Sequence, residues 1–361
     1  MSLRVPIVVF CVCEAFSGVA RIDVVHMADL PDKRPGLTRE KFVGTFDACR
    51  LFAEYTREGD RIFRKQWGDY FFGLSLGYSP KNGGWSKWDF LQVYVRTAKG
   101  VVNVLAESRP VLFFGYSVEG ADFLVGEWAC SGGKRLRLRF AAYPSHRDWL
   151  FLKADFDGLA VESVSLCAYP GNAAVPEGRE RHLATKERDW TLNAESADFA
   201  PASPFVLLYS RYVDEPFGNK VVSDVAPVRS VYAHKTASGV TVRFRPKPDA
   251  TSMAFALGFF AHKDPDDQRV RFLGEDGDAI HDFLCAVDWA AIPKSDDFRA
   301  SVNIAHRLGV PRAALEPVVR RFQAARKACD VAQIAACAEE VRQLRQQAVA
   351  DGLRAFSPTS R

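Results

Sequence analysis

From residue 21 to about residue 261, short runs of β-branched, aromatic and aliphatic residues alternate with clusters of Gly, Pro, Asp and Asn. Runs of this length bounded by turn-forming residues are strand signatures. They predict strands over 42–55, 61–67, 70–78, 88–96, 101–106, 111–116, 123–128, 135–140, 149–156, 161–169, 189–192, 205–212, 228–232, 240–245 and 253–260. Glu58-Gly-Asp60, Lys99-Gly100, Glu119-Gly120, Ser131-Gly-Gly133, Asp157-Gly158 and Ser238-Gly239 fall between them, so hairpins are the expected connection. The clearest alternation is Arg135-Leu-Arg-Leu-Arg-Phe140. It sets three arginines on one face and Leu136, Leu138 and Phe140 on the other, as in an antiparallel sheet with one solvated face. No helical pattern separates the strands, which argues against βαβ units and for a large antiparallel β-sandwich.

The period changes after residue 262. Ile280, Phe283, Leu284 and Val287 share a helical face behind Asp276 or Asp278 as cap, and a second helix, capped by Ser295 or Asp296, ends near Leu308-Gly309. A helical hairpin over 311–356 closes the chain. Its first arm opens at Pro311 with Leu315, Val318, Val319 and Phe322 inward. Its second opens on the capping-box pattern Asp330-Val-Ala-Gln333 and buries Val331, Ile334, Val341, Leu344 and Ala348. This stripe is expected to pack on the sandwich or its partner helix, and a homodimer through the C-terminal helices is the alternative use. The fold class is thus mainly β: a large antiparallel sandwich over 21–262, then an α-helical segment over 263–361.

Residues 1–20 read two ways. Arg4, the apolar run from Val5 to Cys13, and Gly18 and Ala20 resemble an export signal, which implies a secreted or periplasmic protein. The β-branched Ile7-Val-Val-Phe-Cys-Val12 equally suits a buried first strand, which would leave the protein cytoplasmic. The run is far shorter than the roughly twenty residues that span a bilayer, and no other segment qualifies.

Composition narrows the partners. Forty-eight Lys and Arg against 44 Asp and Glu leave a net charge of +4, and 48% hydrophobic with 25% charged residues is a globular balance. Disorder and a dedicated nucleic-acid surface are disfavoured. The eight cysteines include no CxxC pair, and the histidines show no HxH or HxxxH spacing, so neither a metal nor a cofactor is expected. Cys329 and Cys337 are too far apart across a helix boundary to pair, and free thiols are expected.

No GxSxG, HExxH, Walker loop or GxGxxG is present, so candidate chemistry rests on four constellations. The Gly-rich loop 78–88 carries Trp85 and Trp88, whose indoles could stack on a sugar ring; alternatively they start the next strand and face the core. The turn 143–149 sets His146, Arg147 and Asp148 side by side, an imidazole with a carboxylate to fix its tautomer, or simply a solvated turn. The stretch 170–190 reads as a long loop rich in charge, including Arg179, Glu180, Arg181 and His182. It could grip an acidic sugar or supply an acid/base pair, or be a solvated excursion. Asp214-Glu215 before Pro216 pairs carboxylates beside aromatics, a pattern that a plain β-turn also explains.

The strand count, aromatic density and export-like segment together resemble the galactose-mutarotase-like carbohydrate-active super-sandwich proteins. The resemblance is architectural and covers about residues 21–261. It implies a carbohydrate ligand, as a binding or processing protein acting on a poly- or oligosaccharide, with histidine and carboxylate groups on a sheet face. The alternative from another class is a non-enzymatic structural protein assembled through its helices.

Overall fold

The computed structural model describes residues 22–46, 49–59, 61–62, 74–77, 87–118, 120–156, 158–169, 181–192, 195–201, 205–210, 217–236, 240–261, 269–291, 295–328 and 330–356. The chain begins with β1 (Asp23–Pro31), β2 (Thr38–Thr45), β3 (Arg50–Glu58), β4 (Arg61–Ile62), β5 (Leu74–Gly77), β6 (Lys87–Thr97) and β7 (Gly100–Asn103). A single helical turn, α1 (Val104–Glu107), leads to β8 (Pro110–Val118), β9 (Ala121–Ala129), β10 (Arg135–Ala142), β11 (Trp149–Asp155) and β12 (Val161–Tyr169). Next come β13 (Arg181–Ala184), β14 (Asp189–Thr191), β15 (Ala197–Phe199) and β16 (Phe205–Ser210). The last strands are β17 (Phe217–Ser223), β18 (Val228–Lys235), β19 (Val240–Pro246) and β20 (Ser252–Ala261).

Among the described residues these strands form two antiparallel sheets. One runs β1-β2-β3-β5-β6-β12-β19-β18-β15, with β4 on β3 and β7 on β6; the other runs β14-β13-β16-β17-β20-β11-β10-β9-β8. The period of two decides which residues meet. Leu136, Leu138 and Phe140 join Leu51, Val93, Trp128, Val164, Phe244 and Phe255 in the core between the sheets, as the alternation in β10 predicts. Each large side chain so buried contributes roughly 1.5–3 kcal/mol. On the other face, Arg135 and Arg137 bind the buried Glu127 at 2.9 and 2.7 Å, and Arg139 binds Asp155 at 2.7 Å.

The outward face of the nine-stranded sheet carries a second apolar layer. Phe123, Phe151, Phe205, Leu207 and Tyr209 there meet Phe272, Ile280 and Leu284. The latter come from a wide helical turn (Phe272–Asp276) and from α2 (Gly277–Ala286), which lie across the sheet. Asp276 does not cap α2 with its side chain. The turn runs straight into the helix, so the backbone at Asp276 (φ −61°, ψ −39°) is already helical.

Three further helices, α3 (Ser295–Arg307), α4 (Arg312–Lys327) and α5 (Val331–Phe356), share a core of their own. Phe298 and Phe322 stack at 3.7 Å between ring centres, against Val318, Ile334 and Val341. The apolar stripe of α5 therefore packs on its partner helices. Half of its capping box is present, because the Gln333 N–H donates to Asp330 Oδ1 at 3.0 Å. Among the described residues no helix is long and apolar enough to cross a membrane. Cys49, Cys130, Cys167, Cys285 and Cys337 are free thiols.

Several elements depart from the pattern. The run 42–55 is two strands, because the Phe46 N–H bonds the Cys49 carbonyl at 2.8 Å and turns β2 into β3 without glycine or proline. The strand predicted over 101–106 stops at Asn103, whose side chain accepts the Leu105 N–H at 3.2 Å and caps α1. The stretch 170–190, read as a loop, contains β13 and the start of β14, and β1, β15 and β17 carry no pattern strong enough to predict them.

Candidate functional site

Strand register gathers the polar groups of the outward face. His182 lies opposite Tyr209, and Tyr209 opposite Gly218; one row along, Leu207 lies opposite Lys220, Lys220 opposite Gly258, and Gly258 opposite Trp149. Asp189, paired with Ala184, begins that second row. Three side chains close around its carboxylate, one of them the imidazole beside it. His182 Nδ1 donates to Asp189 Oδ1 at 3.2 Å, while Asp189 Oδ2 accepts from the Tyr209 hydroxyl and from Arg269 Nη1 at 3.1 Å. The His182 ring stacks on Tyr209 with 4.8 Å between centres.

These contacts have a clear electrostatic consequence. Burial disfavours the charge on Asp189, but the hydrogen bonds from His182 and Tyr209 and the charges of His182 and Arg269 outweigh it. The carboxyl sits below its ordinary range. Asp189 accepts the Nδ1 proton and so fixes the tautomer and orientation of the imidazole. His182 is only 5% exposed, and Arg269, at the start of the helical segment, closes over the carboxylate.

Along the same row lies an ammonium among rings. Lys220 Nζ is 5.4 Å from the centre of Phe272 and 6.0 Å from that of Trp149. Burial lowers the Lys220 pKa, opposed by the charges of Asp276 and Asp148 and aided by that of Arg271. Lys186, in the turn between β13 and β14, binds Asp278 of α2 at 3.1 Å and lies 4.6 Å over Phe205, tying that turn to the helix.

Gly258 positions the indole. A Cβ there would lie 2.9 Å from Trp149 Cε3, so the ring lies across the glycine. Gly258→Val should displace it. The expected signature is a shift in tryptophan emission that is absent when the same change is made in a Trp149→Phe background.

No protein-family model matches the sequence, and no curated protein sequence matches it. Solved structures do resemble it. An α-N-acetylgalactosaminidase from Bifidobacterium bifidum aligns with 64% of this chain at 10% identity and a TM-score of 0.43, and the match spans only 38% of that enzyme. A putative aldose 1-epimerase from Klebsiella pneumoniae aligns over 72% of this chain and 90% of its own, at 9% identity and a TM-score of 0.38. A 4-α-glucanotransferase from Thermococcus litoralis aligns over 65% of this chain and 39% of its own, at 10% identity and a TM-score of 0.25. These likenesses are weak and of architecture alone.

The residues singled out in the sequence are distributed as follows. His182 is in the cluster, but Arg181 is not. Alternation turns Arg181 to the other face, where its guanidinium is buried and donates to the Thr236 carbonyl at 2.9 Å. His146 lies in the 143–149 turn, accompanied by Ser145 Oγ at 2.9 Å and by the Phe283 ring at 3.9 Å between centres; burial lowers its pKa. Arg147 and Asp148 are exposed in that turn, and the Asp148 charge acts on Lys220. Trp88 lies in β6. Trp85, Arg179, Glu180, Asp214 and Glu215 lie outside the described residues.

Asp189 lies in the charged stretch 170–190, Tyr209 among the aromatics that precede Asp214, and Trp149 at the end of the turn 143–149, whereas Lys220 and Arg269 carried no signal of a site. A lysine or arginine between a polar residue and a valine looks the same whether it faces solvent or a ring. Among the described residues no group of three or more His, Cys, Asp or Glu side chains converges as metal ligands do.

Proposed function

We propose that the chain is a carbohydrate-processing β-sandwich protein that binds an oligo- or polysaccharide at the end of the nine-stranded sheet. In this reading the His182–Asp189 pair exchanges protons with the glycan. One observation carries the proposal: an oriented imidazole–carboxylate pair shares a sheet face with an indole and a desolvated ammonium. Sugars offer the matching chemistry, with a C–H face for the Trp149 ring, hydroxyls for Lys220 and exchangeable protons for His182 Nε2. The α5 stripe is occupied by its own helical core, which favours the sheet face over helical assembly as the working surface.

The test begins with a glycan array probed with the purified chain, followed by titration and turnover of the glycans retained. Trp149→Ala should weaken binding about tenfold. His182→Ala should keep binding and slow turnover by about a hundredfold or more. An array with no retained glycan, or variants indistinguishable from the parent, would overturn the proposal.

A further inference from the structure

At the opposite end of α2 from the His182 cluster, a cavity of about 370 Å³ lies against the same outward face. Lys153 pairs with Ala254, and the Asp224 N–H bonds the Ala254 carbonyl at 3.0 Å, so β11, β20 and the end of β17 floor it. These positions lie four residues along their strands from Trp149, Gly258 and Lys220, about 13 Å away. Leu284 and Cys285 of α2 form part of the wall, with Asp249 from the turn before β20 and Trp289 from the segment after α2.

That segment is fixed by its own contacts. The Arg139 guanidinium donates to the Trp289 carbonyl, and the Tyr116 hydroxyl donates to the Ala291 carbonyl at 2.9 Å. The backbone that carries the indole is therefore set in place by the fold, which lowers the ordering cost of binding. The charges lining the cavity are Asp224, Asp249 and Lys153, and the lysine also faces Asp155 at 3.8 Å. Burial first, then the charges of Asp224 and Asp282, hold the Cys285 thiol above its ordinary pKa, so a negative field reaches the cavity wall. An apolar ring, a packed leucine and a carboxylate-biased field in a half-open cleft of small-molecule size favour a particular ligand. Two carboxylates against one ammonium, itself shared with Asp155, leave the lining net negative, which favours a positive charge, and the ring and leucine favour an apolar body.

We infer that this cavity binds a small organic cation, its ammonium group facing Asp224 and Asp249 and its apolar body lying against the Trp289 indole.

Cys285, an exposed thiol in the cavity wall, is a local reporter. The full chain is alkylated with iodoacetamide, and the rate at Cys285 is read by peptide mass spectrometry, with and without choline or its uncharged isostere 3,3-dimethylbutan-1-ol. Choline should slow Cys285 alkylation by the factor 1 + [choline]/Kd, about tenfold near ten times Kd, and the isostere should leave it unchanged. Asp249→Asn and Asp224→Asn should each weaken the protection; the second keeps the acceptor oxygen that receives the Ala226 N–H. Absence of choline protection, equal protection by the isostere, or protection that survives both substitutions would overturn the inference. The readout is confined to this end of α2, so its failure is separable from failure of the glycan site, which the Trp149 and His182 variants report.

Discussion

Replacing Asp189 by alanine should destabilise the protein by about 3 kcal/mol and abolish any proton transfer that depends on His182. The carboxylate is the common acceptor for His182, Tyr209 and Arg269. Its loss removes a charge-assisted hydrogen bond from each of a buried imidazole, a buried hydroxyl and a guanidinium, whereas a solvent-exposed ion pair would be worth little. Asp189→Asn separates charge from shape. The folded pKa of Asp189 is lowered, so its stabilising contribution is complete above the unfolded value and is lost as pH falls through the folded one. Urea unfolding should therefore show Asp189→Asn less stable than the parent from neutrality down to about pH 5, with the gap closing below about pH 4. A gap unchanged at low pH would mean that the carboxylate charge contributes nothing there.

Trp128→Ala should cost about 3–5 kcal/mol, an effect on folding rather than on the site. Trp128 is fully buried between the sheets, and its Nε1–H donates to the Tyr55 hydroxyl at 3.2 Å, linking β9 to β3 across the sandwich. Gly126 makes room for the ring, since a Cβ there would approach its carbons to 2.6 Å. Alanine leaves a cavity and an unpartnered Tyr55 hydroxyl; phenylalanine restores most of the volume but not the hydrogen bond. The expected order of stability is parent, then Trp128→Phe, then Trp128→Ala, measured as the shift in the urea midpoint. An alanine variant within about 1 kcal/mol of the parent would show that the site collapses onto neighbouring side chains.

The class of fold was legible because it depends on local periods. Alternation in Arg135-Leu-Arg-Leu-Arg-Phe140, glycines between apolar runs and the helical spacing of Leu315, Val318 and Phe322 each report the surroundings of a short segment. The site was only partly legible. His182 stood out by its charged neighbours, yet those neighbours suggested a loop, and Arg181 beside it turns to the opposite face once β13 is built. The strand is short and held by pairing on both sides, to β14 and β16, and no local signal encodes such pairing.

The sequence by itself determined a mainly β architecture with a helical end, the inward set of β10 and the inward faces of α4 and α5. Backbone period and side-chain polarity are properties of a segment and its solvent boundary. Only the tertiary structure decided that Asp189, Tyr209 and Arg269 meet His182, that Trp149 lies across Gly258 beside Lys220, and that the far end of α2 forms one wall of an open cavity. Those meetings follow from strand order and register, which are set by the packing of all the strands together and leave no local trace.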